Sequence, residues 1–387
     1  MTETVSVYHR PQLAKRIAQL ILKVAVGSSA SSGVFLAAPR RTGKSTFARE
    51  DLRPALEEQG ALVLYADLWK DPIKDPGLVI VNTVREAVGK NEGFITRLAK
   101  SAGMEKVAVG GMNFSLDKVG LGKDIDLTAA LVALSDESKK MIVLIIDEAQ
   151  HAITTEDGVA ALFALKAARD ELNSSLHHGL RVVCTGSNRD KLAMLRNSKD
   201  QAFFGAAMVP FPTLDQDFIN WICEHIDLQC QLDPSEVFQL FKDSGFRPEL
   251  LGAAADLIRF DFSIDPEAIP ERFAELVRAQ ADELNTNLRK VIHSLTPIQS
   301  AVLRVMSAKG EHYAPFEAPT MQLYAKAMEQ AGIEAGDVKA EVPGVQQALI
   351  ALQEKKLVWK ASRGVYAVDE QVIVDMLHDD GLLEGLS

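Results

Sequence analysis

The sequence predicts an α/β protein with a parallel sheet, helices on both faces of that sheet, and further helical domains after it. Up to about residue 210, apolar runs of strand length alternate with segments of helical periodicity, as a parallel sheet requires. Residues 215–290 show only helical patterns, and residues 295–387 show helices around one hairpin. Because 387 residues are too many for one ordinary domain, we expect three domains: residues 1–213, 214–290 and 291–387.

Each element of the first domain is predicted by its own pattern. Residues 10–26 place apolar side chains at helical spacing, with Pro11 in the first turn. Residues 105–122 alternate in polarity around two adjacent glycines and predict a hairpin inserted between helices. The predicted buried strands are residues 33–38, 61–69, 141–148 and 179–188, and the predicted helices between them are 45–58, 76–90, 127–140 and 158–173.

The last hundred residues carry a different order of elements. Residues 295–308 begin with Thr296 and Pro297, a helix cap and a first-turn residue. An amphipathic helix at 343–358 would pack against this first helix, and residues 357–377 read as strand, turn, strand and helix. Helices, a late helix and then a two-stranded wing resemble a winged helix-turn-helix.

Composition excludes several classes of protein. The chain is 47% hydrophobic and 25% charged, as in globular proteins, and its net charge of -11 argues against binding nucleic acid by bulk electrostatics. Cys184, Cys223 and Cys230 form no disulfide framework or metal-ligand set and fit a reducing compartment. The first residues lack an apolar signal region, and the longest apolar run, 141–146, is far shorter than the roughly 20 residues of a membrane helix. We therefore expect a cytoplasmic protein without a membrane span.

Residues 36–50, LAAPRRTGKSTFARE, differ by one residue from a phosphate-binding loop. Gly43, Lys44 and Ser45 stand where such a loop has them, but Ala38 replaces its first glycine. Gly43 lets the backbone curl toward phosphate oxygens, Lys44 would neutralise the β- and γ-phosphates, and the Ser45 hydroxyl would hold Mg²⁺. Thr46 opens the helix whose N-terminal dipole adds attraction. An alanine at position 38 is compatible with this loop if its φ stays negative.

The strand at 141–148 strengthens the prediction of a nucleotide site, because it ends in Asp147 and Glu148 about 100 residues after the loop. Asp147 would hold Mg²⁺ through water, and Glu148 would polarise the attacking water. The strand that ends near Asn188 should lie between these two strands, with its tip at the γ-phosphate. Asn188 is the first candidate to orient the water, followed by Ser187 and Thr185; an ordinary strand-to-loop turn is the alternative.

These segments resemble the AAA+ ATPases, specifically the branch of archaeal-type ATPases and origin-recognition-like initiators. The matching segments are APRRTGKST (Walker A), LIIDEAQH (Walker B), CTGSNRD and SGFRPELLGAA, and the resemblance spans roughly residues 7–370. It implies an AAA+ nucleotide-binding domain, a helical lid at 214–290 and a winged-helix domain, with ATP or ADP and Mg²⁺ as cofactors. The implied nucleotide-binding loop residues are Ala38, Pro39, Arg40, Arg41, Thr42, Gly43, Lys44, Ser45 and Thr46.

The same resemblance assigns residues outside the loop. Arg247, before Pro248 at a helix start, matches the lid arginine called sensor 2; a surface arginine is the alternative. Tyr8, His9 and Arg10 match the N-terminal segment that packs on the adenine. Asp67 matches the polar residue that restrains the catalytic glutamate, although a simple strand-end acid would look the same.

The arginine finger that family members donate to a neighbouring nucleotide is not obvious in this sequence. Arg181, Arg189 and Arg196 are candidates. The prediction of a homo-oligomer therefore stays open.

The winged-helix resemblance predicts DNA contact. The candidate DNA-binding residues lie on the late helix, at its end and on the wing; they are Gln346, Gln347, Lys355, Lys356, Lys360 and Arg363. The region is acidic overall, which keeps a winged helix that binds protein as a serious alternative.

Two functions compete. The first is an ATPase whose nucleotide state controls a DNA-associated assembly or remodelling step. The second is a nucleotide-gated regulatory or defence switch, as in STAND-type proteins, that acts through a protein partner. A nucleotide-holding scaffold is a weaker third, because a scaffold does not need the base Glu148.

Overall fold

The computed structural model describes residues 7–25, 27–38, 40–89, 126–174, 176–197, 201–333, 340–361 and 365–386. The predicted hairpin at 105–122, Pro39 and Arg363 lie outside the described residues.

A five-stranded parallel sheet forms the centre of the first part of the chain, in the order β2-β3-β4-β1-β5. Its strands are β1 Val34–Ala37, β2 Leu62–Asp67, β3 Ile142–Asp147, β4 Leu180–Gly186 and β5 Ala207–Pro210. Strand β4 pairs with β1 on one side and with β3 on the other. The strand of Asn188 therefore lies between the loop strand and the acidic strand, as the sequence predicts.

Helices cover both faces of the sheet. They are α1 Pro11–Leu22, α2 (Lys44–Thr46, a π-helical stretch Phe47–Leu52, and Arg53–Glu58), α3 Pro76–Gly89, α4 Leu127–Ser138, α5 Glu156–Leu172 and α6 Arg189–Ala193. Central strand β3 shows why both faces need cover. Ile142, Leu144 and Ile146 point into the core shared with α3, α4 and α5. Val143 and Ile145 point into the core shared with α1 and α2, as the two-residue period of a strand dictates.

A helical region follows the sheet and has a hydrophobic core of its own, built from residues between Leu214 and Ala281. Its helices are α7 Gln216–His225, α8 Pro234–Asp243, α9 Pro248–Arg259 and α10 Ile269–His293. The side chains of Asp215 and Asp233 cap α7 and α8 by accepting backbone N–H groups.

The C-terminal region has a further core between Ile292 and Leu386. It contains α11 Pro297–Lys309, α12 Ala318–Gln330, α13 Val342–Glu354, an antiparallel pair β6 Val358–Lys360 and β7 Tyr366–Val368, and α14 Gln371–Asp379. Thr296 caps α11 in a capping box with Gln299. The two predicted helices, the strand pair and the last helix follow in the order that the sequence predicts, and α12 is a further helix between the first two.

The predicted fold class is confirmed: a parallel P-loop-type sheet with helices on both faces and a helical region after it. Strand β5 was not predicted, because it is only four residues long, none of its side chains is fully buried, and it ends at Pro210, a residue that is rare inside sheets. The three domain boundaries stay a prediction. Within the described ranges, no helix combines the length and the apolar character that crossing a membrane would take.

Candidate nucleotide-binding site

The loop between β1 and α2 has the backbone that a phosphate-binding loop needs. Gly43 is left-handed, with φ 76°, and so is Arg41, with φ 65°. Ala38 is not among the residues with positive φ, and its N–H donates to the Gly186 carbonyl at 3.3 Å. A methyl group at position 38 is therefore accommodated, since the tight left-handed turns fall later in the loop.

A cleft of about 320 Å³ opens above this loop. The residues that line it are Arg40, Arg41, Gly43, Lys44, Ser45, Thr46, Trp69, Glu148 and His151. The loop, Glu148 after the acidic strand and two aromatic rings thus meet in one cleft. The sequence predicts that the loop and Glu148 lie together, but it does not predict the two rings.

Lys44 is 5% exposed at the base of the loop. Its Nζ donates to the Ala38 carbonyl at 2.7 Å. Burial lowers the pKa of Lys44, while the nearby carboxylates of Glu148 and Asp147 oppose that shift. The ammonium group is thus held close to both acids.

Asp147 is buried and accepts hydrogen bonds from two hydroxyl groups. Tyr65 Oη donates to Asp147 Oδ2 at 2.7 Å, and Thr185 Oγ1 donates to Oδ1. Burial and the Asp147 carboxylate raise the pKa of Tyr65, so this phenol stays a donor. The carboxylate is therefore held from both sides, by Tyr65 of β2 and Thr185 of β4.

Glu148 follows Asp147 with a left-handed backbone, φ 53° and ψ 46°. Such a conformation is uncommon for a residue other than glycine, and it turns the side chain toward the cleft. Its Oε2 accepts from Gln150 Nε2 at 2.5 Å and from Ser187 Oγ at 3.0 Å. Asp67, expected to restrain Glu148, instead accepts from Arg49 at 3.1 Å.

Asn188 is buried at the tip of β4, where it caps α6 through the N–H of Lys191. Its amide Nδ2 donates to the Val368 carbonyl of β7 at 3.0 Å. The predicted water-orienting residue is thus in contact with the C-terminal strand pair, a contact that no local pattern in the sequence indicates.

The N-terminal segment lies between the loop helix and the helical region. Tyr8 packs against Phe218 and Trp221 of α7, with ring centroids 5.3 and 5.8 Å away. His9 Nδ1 and Asp51 Oδ1 are 2.7 Å apart. Arg10 Nη2 donates to the Thr42 carbonyl at 3.2 Å and Nη1 to the Pro212 carbonyl at 3.1 Å. The segment therefore connects the loop to the helical region that follows the sheet.

Helix α9 is joined to the loop through Arg41, whose Nη1 donates to Glu249 Oε1 at 2.5 Å. Arg247 lies two residues earlier, but its Nη2 faces Asn285 Oδ1 at 3.5 Å. It is not among the residues that line the cleft. Its role as sensor 2 stays a prediction.

The three finger candidates differ in their surroundings. Arg181 donates to Asn173 Oδ1 and to the Ile21 carbonyl, and Arg196 donates to the Ala206 carbonyl. Both guanidinium groups therefore serve contacts within the chain. Arg189 is exposed at the start of α6, so it suits the predicted role best.

The oxygen ligands at the cleft fit Mg²⁺. Ser45 supplies a hydroxyl and Asp147 a carboxylate, and this ion binds through one or two such groups together with substrate phosphates and water. Among the described residues, no cluster of three or more His, Cys, Asp or Glu could hold a metal alone.

Trp69 and His151 are cleft residues that the sequence analysis missed. Their rings stack with centroids 4.4 Å apart. Burial and the nearby charges of Lys191 and Arg40 lower the pKa of His151 to about 4, so the imidazole is neutral at neutral pH. Their positions just after β2 and β3 were the available signal, because the carboxyl ends of parallel strands meet at one sheet edge.

The predicted DNA-contacting residues lie on the surface of the C-terminal region. Gln346 and Gln347 are exposed on α13, Lys355 and Lys356 are exposed just after it, and Lys360 is exposed on β6. Arg363 lies outside the part of the chain that the structure describes. The placement leaves these side chains accessible to a partner.

The chain is similar to several solved protein structures. No protein-family model and no curated protein sequence matches the chain. The ORC2 protein of Aeropyrum pernix in its ADP form has a TM-score of 0.50 and 14% identity, over 98% of this chain and 97% of that one. A Walker-type ATPase of Pyrococcus abyssi has a TM-score of 0.48 and 15% identity, over 95% of each chain. The Aeropyrum pernix ORC1 protein in complex with DNA has a TM-score of 0.43 and 16% identity, over 99% of this chain and 96% of that one. With a TM-score of 0.50, the ORC2 match shows that this chain shares the overall fold of that protein.

Proposed function

We propose that this protein binds and hydrolyses ATP and that its nucleotide state controls a DNA-associated assembly or remodelling step. One observation carries the proposal. Lys44 and Ser45 of the loop meet Glu148 in a single cleft, and the buried Asp147 lies close enough to act on the charge of Lys44, although about 100 residues separate the loop from the two acids in sequence.

Each side chain at the cleft has a separate role in the proposed hydrolysis. Lys44 and the backbone N–H groups at the start of α2 neutralise and position the phosphates. Ser45 and Asp147 would hold Mg²⁺, which offsets phosphate charge when bound. Glu148 accepts a proton from the attacking water while the oxygen of that water bonds to the γ-phosphorus. The bond from the γ-phosphorus to the oxygen that bridges it to the β-phosphorus breaks. ADP and inorganic phosphate leave.

The contact between the cleft and the C-terminal strand pair supports coupling of nucleotide state to the rest of the chain. Three consecutive residues at the end of β7 face groups around the cleft. Asn188 donates to Val368, Lys191 Nζ to Asp369 Oδ1 at 2.5 Å, and Arg40 Nη1 to Glu370 Oε1 at 3.0 Å. Because Arg40 also lines the cleft, phosphate and Glu370 would compete for its charge.

The second candidate is a nucleotide-gated switch that acts through protein contacts. It is supported by the same hydrogen bonds from Asn188, Lys191 and Arg40, which hold the C-terminal strand pair beside the cleft. Release of this pair on ATP binding would expose a surface to a protein partner. The exposed lysines and glutamines of the C-terminal region favour the first candidate, because DNA could reach them. The Aeropyrum pernix ORC1 protein, one of the similar structures, is in complex with DNA.

Salt-dependent stimulation by DNA separates the two candidates. We expect duplex DNA to raise the rate of ATP hydrolysis, and the effect to fall steeply between about 50 and 200 mM salt, because phosphate contacts release counterions. Replacing Lys355, Lys356 and Lys360 by alanine should weaken the stimulation; Lys15→Ala on exposed α1 is the control. A hydrolysis rate that ignores DNA at every salt concentration would favour the protein switch.

The Lys191–Asp369 pair should hold the strand pair against the cleft. Lys191 is 2% exposed and Asp369 20% exposed, so Asp369→Asn leaves a buried ammonium group without its counter-charge. We expect this to cost about 3 kcal/mol of docking free energy and to enlarge the molecule in small-angle X-ray scattering.

Two variants sharpen that measurement. Asp375→Asn on α14 removes one charge away from the contact and should leave the scattering unchanged. Lys191→Met with Asp369→Leu replaces the pair by apolar groups and should restore the compact form. Identical scattering from Asp369→Asn and wild type would show that the pair does not hold the two parts together.

A further inference from the structure

The carboxylate of Glu148 is held by two donors that its assumed role does not require. Gln150 Nε2 and Ser187 Oγ both donate to the same oxygen, Oε2, at 2.5 and 3.0 Å. The donors come from different elements: Gln150 lies in the 3₁₀ turn Ala149–Thr154, and Ser187 follows β4. Two independent bonds on one oxygen fix the direction of the side chain more tightly than one bond would.

Gln150 is only 1% exposed. Its Oε1 is buried with no hydrogen-bond partner among the described residues. A buried amide that leaves one end unsatisfied costs on the order of 1–3 kcal/mol, so stability alone does not account for it. Turning the amide over would place two oxygens together, which fixes Nε2 as the atom that faces Glu148.

The neighbouring strand leaves room for this amide. A Cβ added at Gly186 would lie 2.6 Å from Gln150 Oε1 and 2.6 Å from Leu192 Cγ. Any residue other than glycine at the end of β4 would therefore displace the Gln150 side chain or α6. The cost of the unsatisfied amide and the space kept for it both point to a role for Gln150 at Glu148.

We propose that Gln150 and Ser187 are positioning residues that aim Glu148 at the water that attacks the γ-phosphate. This inference rests on the proposed function and names two further residues of the same site. With Oε2 occupied by both donors, Oε1 is the oxygen that receives the water proton. Ser187 directly precedes Asn188, so its bond also connects Glu148 to the end of β4, which is predicted to reach the γ-phosphate.

The test is a mutant cycle on ATP hydrolysis by the full chain. Gln150→Met keeps the length of the side chain and removes the donor. We expect it to lower kcat by about 10- to 100-fold, as a small misplacement of a reacting group does, while the Kd for ATP stays within about twofold. Ser187→Ala should act in the same direction, and Ser187→Thr, which keeps the hydroxyl, should recover most of the rate.

The double variant separates positioning from a general structural effect. If Gln150 acts only through Glu148, Gln150→Met should not slow a Glu148→Gln protein further, because residues that act as a unit are not additive. An equal loss in both backgrounds, or unchanged kcat in both Gln150→Met and Ser187→Ala, would overturn the inference. Wild-type turnover by Glu148→Gln itself would instead overturn the proposed function, so the two failures are distinct.

Discussion

Glu148→Gln should bind ATP as wild type does and lose turnover by about 10²- to 10⁴-fold, the usual contribution of a general base. The amide has nearly the shape of the carboxylate but cannot take a proton from water. The ammonium of Lys44 and the loop backbone, which carry the affinity, are untouched. Phosphate release under saturating ATP measures the turnover, and equilibrium binding of labelled ATP measures the affinity.

A matched carboxylate provides the control for this experiment. Glu156 is exposed in the first turn of α5, so Glu156→Gln changes the net charge equally and should leave both quantities alone. If Glu148→Gln hydrolysed ATP at the wild-type rate, Glu148 would not be the base and the proposed reaction would lose its central residue.

The candidate cleft and the polar groups around it could be predicted because they lie at the ends of strands. Gly43 and Lys44 follow β1, Asp147 ends β3 and Asn188 follows β4. Parallel strands place their carboxyl ends at one edge, and binding sites form there in open α/β sheets. Three local motifs and one rule of topology were therefore enough to bring together residues that are far apart in sequence.

The contacts across the molecule could not be predicted in this way. Arg40 and Glu370 are 330 positions apart, and Lys191 and Asp369 are 178 apart. No periodicity or motif relates such pairs, because they depend on how separately folded regions pack. The role of Asp67 at Glu148 stays a prediction for a related reason. The backbone of Asp67 pairs in register with Asp147, but its side chain accepts a hydrogen bond from Arg49. Packing, which no local pattern encodes, determines which neighbour a charged side chain contacts.

Lys44→Ala should weaken ATP binding by about 100-fold or more, which corresponds to about 3 kcal/mol and is the upper range for hydrogen bonds to charged groups. The loop loses its one buried cation at the base of the cleft, and the phosphates then meet Asp147 and Glu148 without compensation. Isothermal titration of ATP gives the affinity directly. Lys15→Ala, on the exposed side of α1, is the control for the lost charge.

Thermal unfolding of the same variants adds a measurement that does not depend on turnover. A ligand at about 100 times its Kd stabilises the folded state by about 2.7 kcal/mol, so ATP should raise the Tm of wild type and of Glu148→Gln but hardly that of Lys44→Ala. Without nucleotide, Lys44→Ala should unfold near the wild-type temperature. Burial lowers the pKa of Lys44, which means that burying its charged form is unfavourable. Removing this charge should therefore cost the folded state little. Equal ATP-induced shifts in wild type and Lys44→Ala would show that the nucleotide is held somewhere other than the loop at residues 38–46.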